Sequence, residues 1–196
     1  MTNMGLFHKE FKSDKPHSGF WGKLYMTPKQ RRTFLKWFLY GVLLLALSLL
    51  QDVVLCRFRL NGATTELVPI GIFLICILEG AENGCIFTLI SALCYLFSGT
   101  AAGPYSMVFL TVIAIGVTIF RQAYLQKGFG AAILCVALAI LSYELLQYAM
   151  ALFLGLTYPK RILGFLITAG LSLLSVPVLY PIALSIEKIG GETWKE

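Results

Sequence analysis

Residues 83–120 read NGCIFTLISALCYLFSGTAAGPYSMVFLTVIAIGVTIF, 38 consecutive positions without a charged side chain. As one helix this run would be about 57 Å long, against a bilayer hydrocarbon core of about 30 Å, so it cannot be a single crossing. A break is legible within it. Ser98-Gly99-Thr100-Ala101-Ala102-Gly103-Pro104 gathers small, turn-forming residues and ends on a proline, and it divides the run into spans at 83–98 and 104–120. Two apolar helices joined by a tight turn set the fold class: an all-α integral membrane protein.

Working outward, the same reasoning places four more apolar segments. The first runs over 34–55, with Lys36 able to snorkel and Trp37 and Tyr40 placed for an interface, and it ends at Gln51, Asp52, Arg57 and Arg59. The second, residues 67–78 between Glu66 and Glu79, is only about 18 Å long as a helix, so it must borrow its flanks or dip into the membrane. Arg121, Gln122, Gln126, Lys127 and Gly128 read as a polar loop, followed by a fifth span at 129–156. A sixth covers 162–186, with Pro177 and Pro181 bending its last third, which neighbouring helices can accommodate. The expected organisation is a basic, aromatic-containing cytoplasmic tail at 1–33, a six-helix transmembrane domain at 34–186 and a short tail at 187–196.

Composition agrees on the solvent. Hydrophobic residues make up 58% of the chain and charged residues 13%, far from the balance of a water-soluble domain. The net charge of +6 lies entirely in residues 1–36, where eight Lys or Arg face Glu10 and Asp14. A polybasic stretch before an apolar span, interleaved with Phe7, Phe11, Phe20, Trp21 and Tyr25, suits the anionic cytoplasmic leaflet rather than nucleic acid. With six spans and the N-terminus inside, the inner segments hold 12 Lys or Arg and the outer loops four. That distribution follows the positive-inside rule and puts the N-terminal tail on the cytoplasmic side of a membrane crossed several times. The five cysteines have no CxxC spacing and read as reduced, buried small hydrophobes.

No catalytic or cofactor constellation is present. His8 and His17 both lie in the tail, and neither a zinc helix, a nucleophile elbow nor a phosphate-binding glycine loop occurs, so the expectation is a protein that is not an enzyme and holds no metal or cofactor. Helix faces carry the remaining information. Gly80, Gly84, Thr88 and Ala92 recur every four residues, and Gly164, Thr168, Ser172 and Ser175 do much the same; such stripes let helix backbones approach closely in lipid. Glu144 is the one ionisable residue well inside a span, with Gln147 and Tyr148 three and four positions on. It should face the bundle, be protonated or meet a partner, Thr168 or Ser172 being candidates; a structural anchor and a functional role carry equal weight.

The basic tail, six short spans and the stretch Ile77-Leu78-Glu79-Gly80-Ala81-Glu82-Asn83-Gly84 resemble the rod shape-determining MreD family over residues 49–186. The stretch is similar to that family's inner loop entering a glycine-spaced third helix, although Thr88 and Ala92 stand at the glycine spacing here and Leu96 replaces an expected acid. The resemblance implies a non-enzymatic scaffold of the bacterial cell-elongation, or peptidoglycan-synthesis, machinery. Its partners would be membrane lipids, MreC and, through MreC, MreB, the glycosyltransferase RodA and a class B penicillin-binding protein. That family in turn is similar to the substrate-binding S components of energy-coupling-factor vitamin transporters, the alternative function. Against this alternative, only Ala46 lies between Trp37 and Gln51, where such components carry an alanine stripe. A buried outward-facing cavity would favour it.

Overall fold

The computed structural model describes residues 28–57, 64–99, 101–124 and 128–189, so residues 1–27 of the basic tail and 190–196 of the C-terminal tail lie outside the described residues. The described chain is helical throughout, with no strand among the described residues. Its elements are α1 (Pro28–Val53), α2 (Leu67–Glu79), α3 (Ala81–Phe97), α4 (Pro104–Tyr124), α5 (Phe129–Phe153), α6 (Ile162–Leu173) and α7 (Val176–Ile189). α1 therefore starts inside the stretch read as tail, at a proline whose missing N–H is no loss in the first turn.

α1, α4 and α5 are long and apolar enough to cross a membrane, and α6 with α7 makes a fourth candidate if the bent pair is one span. α2 and α3, at 13 and 17 residues, are shorter. The outer surface supports a lipid environment. Phe34, Phe38, Val42, Leu45, Leu49 and Val53 are all exposed and recur every three or four residues along α1, one continuous apolar stripe. A soluble monomer does not carry such a stripe uncovered.

α2 is the centre of the bundle. Every residue from Leu67 to Leu78 is buried, and the helix touches α1, α3, α4, α5, α6 and α7. An all-round apolar helix is one that meets protein on every side. The short second segment is therefore surrounded by other helices along its length, and both ways of seating it, by its flanks or by dipping into the membrane, are compatible with that packing. The surrounding helices bury single faces. α5 turns Ala132, Cys135, Val136, Ala139, Ile140, Tyr143, Glu144 and Gln147 inward, the three-and-four spacing of one helical stripe.

Two boundaries differ from the sequence reading. Arg121 is not in a loop: α4 continues to Tyr124, and Arg121 is buried with its guanidinium donating to the Ile77 carbonyl. The last segment is not one bent helix either, since α6 ends at Leu173 and α7 begins at Val176 with a 48° change of direction. Pro177 has no N–H to offer the carbonyl four residues earlier, Leu173, which is where α6 stops. Pro181, inside α7, coincides with no comparable break.

Candidate functional site

α2 is held at both ends by polar side chains from its neighbours. At its C-terminal end the Glu79 carboxylate accepts from Lys36 Nζ at 2.7 Å and from the Tyr40 hydroxyl at 2.8 Å. Lys36 does more than snorkel: it is buried and ion-paired, with its ammonium 5.4 Å from the Trp37 ring. Trp37, Tyr40 and Phe87 cover the pair with mutually tilted rings. At this end the chain reverses at Gly80, whose φ of +86° with ψ near 177° is a backbone conformation that side-chain-bearing residues avoid.

The reversal lays α3 against α2. A Cβ at Gly84 would sit 2.8 Å from the Cys76 carbonyl oxygen, so only glycine permits the approach seen. Thr88 and Ala92 follow on the same face and are fully buried, with the Thr88 hydroxyl making no hydrogen bond. The second small-residue stripe divides. Thr168 and Ser172 are buried, but a Cβ at Gly164 would meet nothing within 4 Å, so Gly164 is not a point of close helix approach.

At the opposite end, Gln51 of α1 accepts the Leu67 and Val68 N–H groups at 2.8 and 3.0 Å, and Ser172 Oγ accepts the Glu66 N–H at 2.8 Å. These are the orphan donors of the first turn of α2, capped here from other helices. The capping gathers a polar cluster. The Tyr95 hydroxyl of α3 reaches Gln51, and the Glu66 and Glu144 carboxyls lie within electrostatic reach of one another and of Tyr95 and Tyr143. Glu144 is 3% exposed and Tyr143 is fully buried. One oxygen of each carboxyl, Glu66 Oε2 and Glu144 Oε1, has no hydrogen-bond partner, and the Tyr143 hydroxyl, facing Gln147, forms no well-shaped bond.

Three sequence expectations change here. The hydroxyl of Ser172 is engaged by the backbone of residue 66, and Glu144 Oε1 bonds neither to it nor to Thr168. Tyr148 does not share the interior face of Glu144; it turns to the 157–160 loop, where its hydroxyl donates to the Pro159 carbonyl, while Gln147 stays buried. Glu66, which the sequence marked only as a helix boundary, joins the same cluster as Glu144; Lys36 was read only as snorkelling and Gln51 and Glu79 only as segment ends, and Tyr95 was not singled out. Their common signal is position: each lies near the end of an apolar run, and alternating helix directions bring such ends together.

Cys56's side chain lies outside the described residues; of the other four cysteines Cys76 and Cys135 are buried as expected and Cys85 is half-buried, whereas Cys94 is exposed, against the reading of all five as buried. Cys94 lines a lateral cleft of about 360 Å³ between α1 and α3, floored by Val68 of α2. Among the described residues no group of three or more His, Cys, Asp or Glu is arranged to hold a metal ion. The chain matches no protein-family model, no curated protein and no solved structure.

Proposed function

We propose that this chain is a multi-pass component of the bacterial cytoplasmic membrane, similar to the MreD family, acting as a scaffold in cell elongation through helix-face contacts and without catalysis. The observation that carries the reading is the reversal at residues 77–84. Its quoted resemblance coincides with a glycine-dependent turn and with a backbone contact at Gly84, the two features such a loop needs if it is to seat a third helix against a buried second one. In this reading α2 and α3 complete six crossings, the basic tail lies on the anionic cytoplasmic leaflet, and MreC is met by the lipid-exposed faces or by the tail.

The carrier alternative calls for an outward-facing cavity. The cleft seen here lies on the flank and is edged by the lipid-exposed Leu45, Leu49 and Ile90. It therefore lends the carrier no support.

The test is recovery of MreC with the tagged full-length chain from membranes of a rod-shaped bacterium that carries it, together with cell shape on depletion. We expect MreC to be retained and the cells to round. Cells that stay rods, with MreC absent from the purified material, would remove the reading.

A further inference from the structure

The polar cluster at the N-terminal end of α2 is not balanced by anything the described residues supply. Two carboxyls from different segments, Glu66 and Glu144, each keep an oxygen without a hydrogen-bond donor, and no described Lys or Arg contributes to the field at either. The N–H groups of the first turn of α2, which could have met them, are already taken by Gln51 and Ser172. Among the described residues, no cationic donor of hydrogen bonds meets either carboxyl. Beside the cluster runs the α1–α3 cleft, whose lining includes Gly41, Leu45, Leu49, Ile90, Cys94 and Tyr95. It extends over roughly 12 Å of α1, from residue 41 to 49, and is mostly apolar along that length, interrupted by the hydroxyls of Ser48 and Ser91. Tyr95 belongs to both features: it is among the residues lining the cleft, and its hydroxyl reaches Gln51 and lies within the field of Glu66 and Glu144.

We infer that cleft and cluster form one site for an amphiphile with an ammonium head, the alkyl chain lying between α1 and α3 and the head passing Tyr95 to meet Glu66 and Glu144. The chemistry is complementary at each end. The cleft offers an alkyl chain a protein surface in place of lipid, and an ammonium supplies the N–H donors and positive charge that the two carboxyls lack. A quaternary trimethylammonium has no N–H to give and fits less well, and an anionic head is repelled. Two sources share this chemistry, an aminophospholipid of the membrane and a free long-chain amine.

The full-length chain in detergent is to be tested by thermal melting and native mass spectrometry with short-chain phosphatidylethanolamine, phosphatidylcholine and phosphatidylglycerol of equal chain length, and with dodecylamine and ethanolamine. Phosphatidylethanolamine is expected to bind about tenfold or more tightly than the other two lipids, and Glu144→Gln or Glu66→Gln to abolish that preference. Gly41→Leu, at a position where a Cβ meets nothing within 4 Å, is expected to fill the cleft and weaken binding while the carboxyls stay intact. Preference for phosphatidylethanolamine over dodecylamine assigns the membrane lipid as source, and the reverse assigns the free amine; both support the site. Equal binding of all three lipids overturns it. So does ethanolamine stabilising as well as dodecylamine, or a head-group preference that persists in both Gln variants; because those variants lie on separate segments, misfolding of one leaves the other to decide.

Discussion

Two buried acids in this bundle have opposite surroundings, and their substitutions should differ in sign. Glu79 is fully engaged, by Lys36 and Tyr40. Removing one member of a buried ion pair leaves the other charge uncompensated, so Lys36→Met should cost about 3–5 kcal/mol. The double change Lys36→Met with Glu79→Met should recover most of that loss, which thermal melting of the three variants in one detergent will show. Glu144 instead keeps a buried oxygen with no partner. Removing an unsatisfied buried polar group relieves its desolvation cost, so Glu144→Met should raise stability by about 1–3 kcal/mol, while Glu144→Lys disrupts insertion or packing. Both acids could be picked out in the sequence as exceptions within apolar runs. Their partners could not, because Lys36 and Glu79 are 43 positions apart and meet only once α1 and α2 have packed antiparallel.

At the scale of elements, the small-residue stripes show what spacing can and cannot specify. A four-residue repeat of Gly, Thr and Ala identifies a helix face suited to close approach, but not which member is in contact. The structure separates them: Gly84 has a backbone carbonyl where its Cβ would be, and Gly164 has open space. Gly84→Ala should therefore destabilise by about 1–3 kcal/mol through overpacking against Cys76. Gly80→Ala should cost a similar amount, about 1–3 kcal/mol, because its backbone conformation is one that only glycine adopts easily. Gly164→Ala, inside α6 with nothing to strike, should be neutral or stabilising by up to about 1 kcal/mol. Melting temperatures of the three alanine variants check the ordering, and a Gly84 variant as stable as the Gly164 variant would contradict the α2–α3 contact. Helix ends were less legible than faces. Arg121 and Gln122 read as a loop because they are polar, yet α4 continues through them, since the guanidinium finds a carbonyl acceptor on α2 and need not stay in water.

For the whole molecule, the question the sequence leaves open is whether the short second segment counts as a passage, because the side on which the C-terminus lies depends on it. Packing supplies an argument that length alone does not. Tyr40, midway along α1, packs against Ile75 in the second half of α2 and Ile186 near the end of α7, and lies within electrostatic reach of Glu187. Gln51, near the end of α1, instead meets the beginning of α2. α2 thus runs antiparallel to α1 from about Lys36 to Gln51, and α7 ends beside the middle of α1. In the six-crossing arrangement proposed above, this packing leaves the last helical residues on the same side as the start of α1. In the proposed topology the eight basic residues within the first 36 would draw that end to the cytoplasm. A phosphatase that is active only outside the cell should accordingly be silent when fused after Glu196 and active when inserted in the 157–160 loop at the far end of α5. Strong activity at Glu196 would mean that α2 does not return across the membrane, and would overturn both the packing of Tyr40 on Ile186 and the shared cytoplasmic end that follows from it.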